Sequence, residues 1–101
     1  MEKVIVVISN PQECGDYTIN FISTFDGEIM KKLVVGNANY GFYKYLKHDD
    51  EKYIALAKEL YKSYGIKLPK TKEERYAITQ EDIAKMVAKK MQWQILSIYE
   101  F

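Results

Sequence analysis

The chain has 101 residues, which predicts a single domain over residues 1–101 with one modest hydrophobic core. Hydrophobic residues make up 48% and charged residues 29% of the composition, a globular balance that excludes a disordered chain. The net charge of +1 argues against a protein that coats DNA and against an acidic DNA mimic, because each needs a large excess of one sign.

Three features of composition bear on location and role. The only cysteine, Cys14, excludes an intramolecular disulfide and favours a reducing compartment, so we expect a cytoplasmic protein. The N-terminal apolar run over residues 4–8 is too short for a membrane span, and the acidic Glu2 precedes it, so we expect neither a signal peptide nor a membrane partner. Nine tyrosines are a large number for this length, and tyrosine is enriched at protein interfaces.

The first half of the chain predicts three strands. Residues 3–9, KVIVVIS, are apolar on both faces, as in a strand at the centre of a sheet, and residues 17–25, YTINFISTF, alternate. Asp26-Gly27 predicts a hairpin to the third strand. We favour a three-residue loop with a left-handed Gly27, because that register collects most apolar side chains on one face. This face comprises Ile19, Phe21, Ile29, Lys31, Leu33 and Val35.

The second half changes to helical spacing. Residues 49–65, DDEKYIALAKELYKSYG, predict a helix with an aspartate cap and a Gly65 terminator. Residues 66–75, IKLPKTKEER, predict a charged linker. A second helix is expected to begin after an N-cap at Thr79, with Asp82 completing a capping box. It would run to about Met91 and bury Ile83, Met86, Val87 and Met91.

Residues 93–101, WQILSIYEF, predict the last strand. One face of it would carry Trp93, Ile95, Ser97, Tyr99 and Phe101. The order β-β-β-α-α-β predicts an α+β fold, with a four-stranded, mainly antiparallel sheet and helices packed on one face. We place the last strand beside the first, because the first is the most apolar and needs neighbours on both sides.

The outer face of the predicted sheet has a mixed composition. Its members are Thr18, Asn20, Ile22, Met30 and Val34. A face that is neither clearly buried nor clearly polar favours packing on a partner or on a second copy, as a homodimer through the sheet.

Gly36 and Gly41 have the spacing of the two glycines in a phosphate-binding Walker A loop. Phe42 and Tyr43 occupy the positions where that loop needs lysine and a hydroxyl, which excludes nucleotide hydrolysis. Backbone N–H groups of such a loop can still bind an anion, and this alternative stays open. We favour a turn in which the glycines supply left-handed conformations.

No catalytic or metal-binding pattern emerges. His48, the only histidine, precedes Asp49, Asp50 and Glu51, but adjacent positions on a helix point in different directions, so few of these side chains can converge on one ion. Cys14 has no base near it in the sequence. We therefore expect no catalytic residue, no metal, no cofactor and no enzymatic activity.

One aromatic segment is the candidate binding surface. It comprises Tyr40, Phe42, Tyr43, Tyr45 and Lys47. Aromatic side chains interleaved with lysine suit a protein hot spot, and they also suit base stacking with phosphate neutralisation. The chain has a single arginine, the usual base-reading residue, so we rank nucleic-acid binding as the alternative.

The sequence thus predicts a small non-enzymatic module that binds a protein partner by stoichiometric contact. Small single domains without catalytic motifs are common among phage and mobile-element inhibitors of host defence systems, such as anti-CRISPR proteins. This analogy rests on size and on the lack of motifs.

Overall fold

The computed structural model describes residues 1–9, 17–35, 47–69 and 71–101. Its elements, in chain order, are β1 (Glu2–Ser9), β2 (Tyr17–Ser23), β3 (Ile29–Val35), α1 (Lys47–Tyr64), α2 (Lys72–Ala77), α3 (Gln80–Met91) and β4 (Trp93–Glu100). The α+β class and the order of the four strands and two long helices are confirmed. The prediction of a linker over residues 66–75 is wrong in its second half, where the short helix α2 begins.

Helix α2 was missed because six residues are too few to establish a period. Its signals are local: Glu73 and Glu74 lie in the first turn, where carboxylates interact favourably with the helix dipole. The Glu74 N–H also donates to Thr71 Oγ1 at 3.4 Å, which satisfies one of the free donors at the helix start.

The sheet has the strand order β3-β2-β1-β4. Strand β1 is antiparallel to β2 and parallel to β4, and β2 is antiparallel to β3. The predicted central place of β1 and its pairing with the last strand are confirmed. A parallel neighbour requires a crossover connection, and the helices between β3 and β4 lie in that connection.

The predicted register of the β2–β3 hairpin is confirmed over most of its length, with Ile19 opposite Leu33 and Phe21 opposite Lys31. The predicted loop length is wrong. The Ser23 N–H donates to the Glu28 carbonyl at 2.9 Å, and the Gly27 N–H donates to the Ser23 carbonyl at 3.0 Å. The loop between Ser23 and Glu28 therefore has four residues. Gly27 has the predicted left-handed conformation, with φ of 74°.

A β-bulge between Phe21 and Ile22 compensates for the longer loop and restores the register further along. As a consequence Ile29 lies opposite Ile22 instead of sharing a face with Phe21. Phe21 is fully buried, and Ile29 is 59% exposed. The predicted position of Ile29 on the core face is therefore wrong.

The hydrophobic core lies between one face of the sheet and helices α1 and α3. Leu56 and Leu60 enter it from α1, one helical turn apart, and Ile83 and Val87 enter it with the same spacing from α3. The sheet contributes Val4, Val6, Ile8, Ile19, Phe21 and Leu33. Of the residues predicted to be buried in α3, Met86 is only partly buried and Met91 is 41% exposed, because the helix ends there.

The predicted end of α1 and start of α3 are confirmed. The predicted start of α1 is wrong: the helix begins at Lys47, so Asp49 and Asp50 lie inside its first turn and neither is the N-cap. Gly65 has φ of 70°, and its N–H donates to the Tyr61 carbonyl at 2.9 Å. The Ile66 N–H donates to the Leu60 carbonyl at 3.3 Å, so two backbone hydrogen bonds close the left-handed end of α1. At the start of α3, the Asp82 N–H donates to Thr79 Oγ1 and the Thr79 N–H donates to Asp82 Oδ2, both at 3.1 Å. This reciprocal pair is the capping box, and it holds α3 at the angle that buries Ile83.

Strand β4 does not keep one set of side chains on one face. A bulge lies between the pairs Val4–Ile95 and Ile5–Ser97, and Leu96 is the extra residue. Because one added residue reverses the alternation, Ile98 lies beside the buried Val6, while Tyr99 lies on the opposite face. The predicted common face of Trp93, Ile95, Ser97, Tyr99 and Phe101 is therefore wrong beyond Ile95.

Candidate protein-contact surface

The face of the sheet opposite α1 and α3 carries a group of apolar side chains. We call this group the outer surface, and its members are Ile5, Val7, Ile22, Ile29 and Tyr99. The pairing register joins them across all four strands, although no two are adjacent in the sequence. Such a surface forms only in the folded protein.

Two rows of paired residues make up the outer surface. In the first row, Ile5 lies between Ser97 and Ile22, and Ile22 lies beside Ile29. In the second row, Val7 lies between Tyr99 and Asn20. Directly opposed residues in a sheet have Cβ atoms about 4.5–5.5 Å apart, so each row is a continuous strip of side chains.

The outer surface is more accessible than the core face. Ile5, Val7 and Ile22, on the two inner strands, are half-buried by their strand neighbours. On the edge strands Ile29 is 59% and Tyr99 51% exposed. The outer surface is therefore an apolar strip whose most exposed members lie on the two edge strands.

The charge of this face is positive in the part of the chain that the structure describes. Lys32 pairs with Asn20, and Lys3 pairs with Gln94, so a lysine lies near each end of the face. The strand positions described on this face include no carboxylate. The apolar strip therefore has a basic rim.

Asn20 interrupts the second row with a polar group. Its Oδ1 atom is buried and has no hydrogen-bond partner in the described part of the chain. Because a buried acceptor left unpaired costs about 1–3 kcal/mol, we expect an apolar side chain at this position to stabilise the chain.

A polar cluster joins the other side of the sheet to α1. Lys31 Nζ lies 3.4 Å from Glu59 Oε1 and 5.7 Å from the centre of the Tyr64 ring. Burial alone would lower the pKa of Lys31, but Tyr64 and Glu59 outweigh burial and raise it. The pKa of Tyr64 is raised mainly by burial, against the opposing influence of Lys31. This cluster supports packing of α1, since Lys31 lies in β3 on the core face.

The structure does not describe the side chains of the binding surface that was predicted from the sequence. Tyr40, Phe42, Tyr43 and Tyr45 lie outside the described residues, and Lys47 is the first residue of α1, with its side chain outside them. The same holds for Cys14, for the glycine loop from Gly36 to Gly41, and for the side chains of His48, Asp49, Asp50 and Glu51. These predictions stay predictions.

Sequence reasoning missed most of the outer surface. Of its five members, only Ile22 was assigned to this face beforehand. Ile29 and Tyr99 reach it because two bulges reverse the side-chain alternation, and the spacing of apolar residues gives no sign of a bulge. For Ile5 and Val7 the signal was present: a strand that is apolar on both faces predicts cover on both faces.

Comparisons with protein-family models, with curated proteins and with solved structures found no match for this chain. The described residues contain no group of three or more His, Cys, Asp or Glu side chains able to hold a metal ion. Among the helices of the described ranges, none has the length and apolar character needed to cross a membrane.

Proposed function

We propose that this chain is a small non-enzymatic module that binds a protein partner by stoichiometric contact through its outer surface. One observation carries the proposal. Strand β1 is apolar on both faces, yet α1 and α3 pack on only one of them, and Ile5 and Val7 are left half-buried on the other. A strand of this composition normally has both faces covered, and a bound partner supplies the second cover.

The partner that fits this surface is a protein with an apolar patch and an acidic rim. The apolar patch would pack on Ile5, Val7 and Ile22, and carboxylates around it would face Lys3 and Lys32. Interfaces commonly combine a dry centre with a charged edge, and the edge contributes more to association rate than to affinity.

The aromatic segment around Tyr43 is a second part of the proposed contact. It follows β3 in the chain and precedes α1, and tyrosine is one of the residues that most often dominate binding energy at protein interfaces. We expect the double variant Tyr43→Ala with Tyr45→Ala to lose partner capture and to keep its melting temperature. Unfolding of this variant would instead assign the two tyrosines to the core.

An inhibitor of a host defence system, such as an anti-CRISPR protein from a phage or mobile element, is the specific form of the proposal. A cytoplasmic protein that blocks another by occupying its surface needs no catalytic site, only a stable contact. Plasmid interference in a CRISPR-positive host tests this form. If the host still eliminates the plasmid fully while it expresses the chain, the chain does not inhibit that CRISPR system.

The proposal is tested by capture of partners from nuclease-treated lysate of source cells on the immobilised chain. Two variants carry the same change on different elements: Ile29→Lys on the outer surface and Ile54→Lys on α1. The two isoleucines are 59% and 51% exposed, so neither change disturbs the core. We expect a discrete protein to bind the wild type and Ile54→Lys, and binding to Ile29→Lys to fall at least about tenfold.

Three outcomes would contradict the proposal. Equal capture by both variants would remove the outer surface from the contact. Capture only before nuclease treatment, with affinity that falls steeply with salt, would favour the nucleic-acid alternative. If the wild type captures no protein, the outer surface has no partner in the lysate and the proposal fails.

A further inference from the structure

The two edges of the sheet differ in how well they are protected against pairing. Strand β3 has Lys31 and Lys32 near its middle, and lysines on an edge strand oppose the approach of another strand. Strand β4 has no lysine, and its only charged residue is Glu100. The bulge at Leu96 breaks the regularity of its first half and leaves residues 97–101 regular.

Some backbone groups of β4 point away from β1, towards a side where the described residues place no strand. The Phe101 N–H donates to the Ile8 carbonyl at 2.9 Å, so Phe101 is directed towards β1. Because successive residues of a strand point their N–H and C=O groups in opposite directions, Ile98 and Glu100 direct theirs away from β1. No described strand pairs with that side. Such groups bond to water in the single chain and can bond instead to an added β-strand.

We propose that residues 97–101, the end of β4 together with the Phe101 that follows it, pair antiparallel with the same residues of a second copy; we call these residues the β4 edge. The two-fold axis passes beside Tyr99, which lies opposite the partner's Tyr99. Ile98 and the partner's Glu100 then form a hydrogen-bonded pair, and such a pair exchanges two backbone hydrogen bonds. The inference goes beyond the proposed function, because it concerns a second copy and not a different protein.

Self-complementarity is the reason for choosing a second copy as the occupant. In this register the large Phe101 side chain lies opposite the partner's Ser97, which is small. The ring of Tyr99 lies opposite the ring of the partner's Tyr99. Tyr99 is 51% and Phe101 80% exposed in the single chain, so the pairing covers the most exposed aromatic groups of β4. The net charge of +1 leaves little repulsion between copies.

Cysteine cross-linking tests the register directly. In a Cys14→Ser background, Tyr99→Cys places two thiols in a non-hydrogen-bonded pair with Cα atoms about 4.5 Å apart, within the range that a disulfide spans. Gln94→Cys is the control, since it lies in the same strand but before the bulge. Under mild oxidation we expect a disulfide dimer of Tyr99→Cys and a monomer of Gln94→Cys.

Sedimentation velocity from about 1 µM to about 1 mM tests the association without a cross-link. Glu100→Pro removes an N–H that points away from β1, so the sheet keeps its own hydrogen bonds. Glu100→Gln is the matched control, which removes the charge and keeps the N–H. We expect the wild type and Glu100→Gln to dimerise alike, and the dissociation constant of Glu100→Pro to rise at least about tenfold.

A wild type that stays monomeric throughout this range would overturn the inference. So would a dimer that Glu100→Pro leaves intact, or one that cross-links as well through Gln94→Cys, because each places the contact elsewhere. Thermal unfolding checks that Glu100→Pro folds. If Glu100→Pro is unfolded, Tyr99→Lys replaces it in this test, because the two introduced lysines would face each other at the two-fold axis and repel. These outcomes are independent of partner capture by Ile29→Lys.

Discussion

The two faces of the sheet are built from the same four strands but differ in what covers them. On the core face Phe21 and Val6 are fully buried under α1 and α3, while on the outer surface their chain neighbours Ile22 and Val7 stay half-buried. Both faces are rich in apolar side chains. In the part of the chain that the structure describes, the long helices cover one face of the sheet, and the apolar side chains of the other face have no helix over them.

The largest expected effect separates the two faces at adjacent positions of β2. Phe21→Ala removes a fully buried ring that lies 5.5 Å, centre to centre, from the Trp93 ring, and we expect a loss of about 3–5 kcal/mol in unfolding free energy. Ile22→Ala should cost about 1 kcal/mol, because the half-buried side chain leaves no enclosed cavity. Chemical denaturation of both variants measures the difference, and equal losses would contradict it.

The next effect concerns the attachment of α3 to the core face. Thr79→Ala removes the side-chain acceptor of the capping box, and we expect a loss of about 1 kcal/mol. Thr79→Ser keeps the oxygen and should unfold like the wild type. Thermal unfolding compares the two, and an unchanged Thr79→Ala would mean that α3 is held by its buried residues alone.

A gain in stability is expected on the outer surface. Asn20→Val removes a buried oxygen that has no partner in the described part of the chain and places a good strand former beside Val7, so we expect about 1 kcal/mol of stabilisation. Asn20→Asp should destabilise, because it puts a charge at the same place. Destabilisation by Asn20→Val would show that the amide is hydrogen-bonded in solution.

The smallest effect is a pH dependence on the core side of β3. The pKa of Lys31 is raised above its ordinary value of 10.5, so its contribution to stability is complete below pH 10.5 and is lost as pH rises through the raised pKa. The raised pKa of Tyr64 acts in the same direction.

We expect the unfolding free energy to fall above about pH 10, by less than about 1 kcal/mol from the half-exposed Lys31–Glu59 pair. Lys31→Met combined with Tyr64→Phe should flatten the fall, because removal of Lys31 alone would raise the pKa of Tyr64 further. Lys32→Met, on the neighbouring position and opposite face, is the control and should keep the wild-type slope. The same slope in both variants would assign the alkaline loss to other groups.

Local patterns predicted most of the fold. The alternation in β2, the left-handed Gly27 and Gly65, and the Thr79–Asp82 box each depend on a few neighbouring residues, and each is confirmed. Which side chains share a face in β3 and β4 was harder to predict from the sequence, because a bulge depends on pairing with another strand. The two bulges moved Ile29 and Tyr99 to the outer surface, so the candidate site could not be assembled from spacing alone.

The central claim is that the outer surface serves contact and not folding. Its most direct test is the double variant Val7→Thr with Ile22→Thr, measured for both unfolding free energy and partner capture. Threonine keeps the branched shape that strands favour and removes apolar area. The account predicts a loss below about 2 kcal/mol with capture abolished. A loss as large as that of Phe21→Ala, or capture equal to that of the wild type, would contradict it.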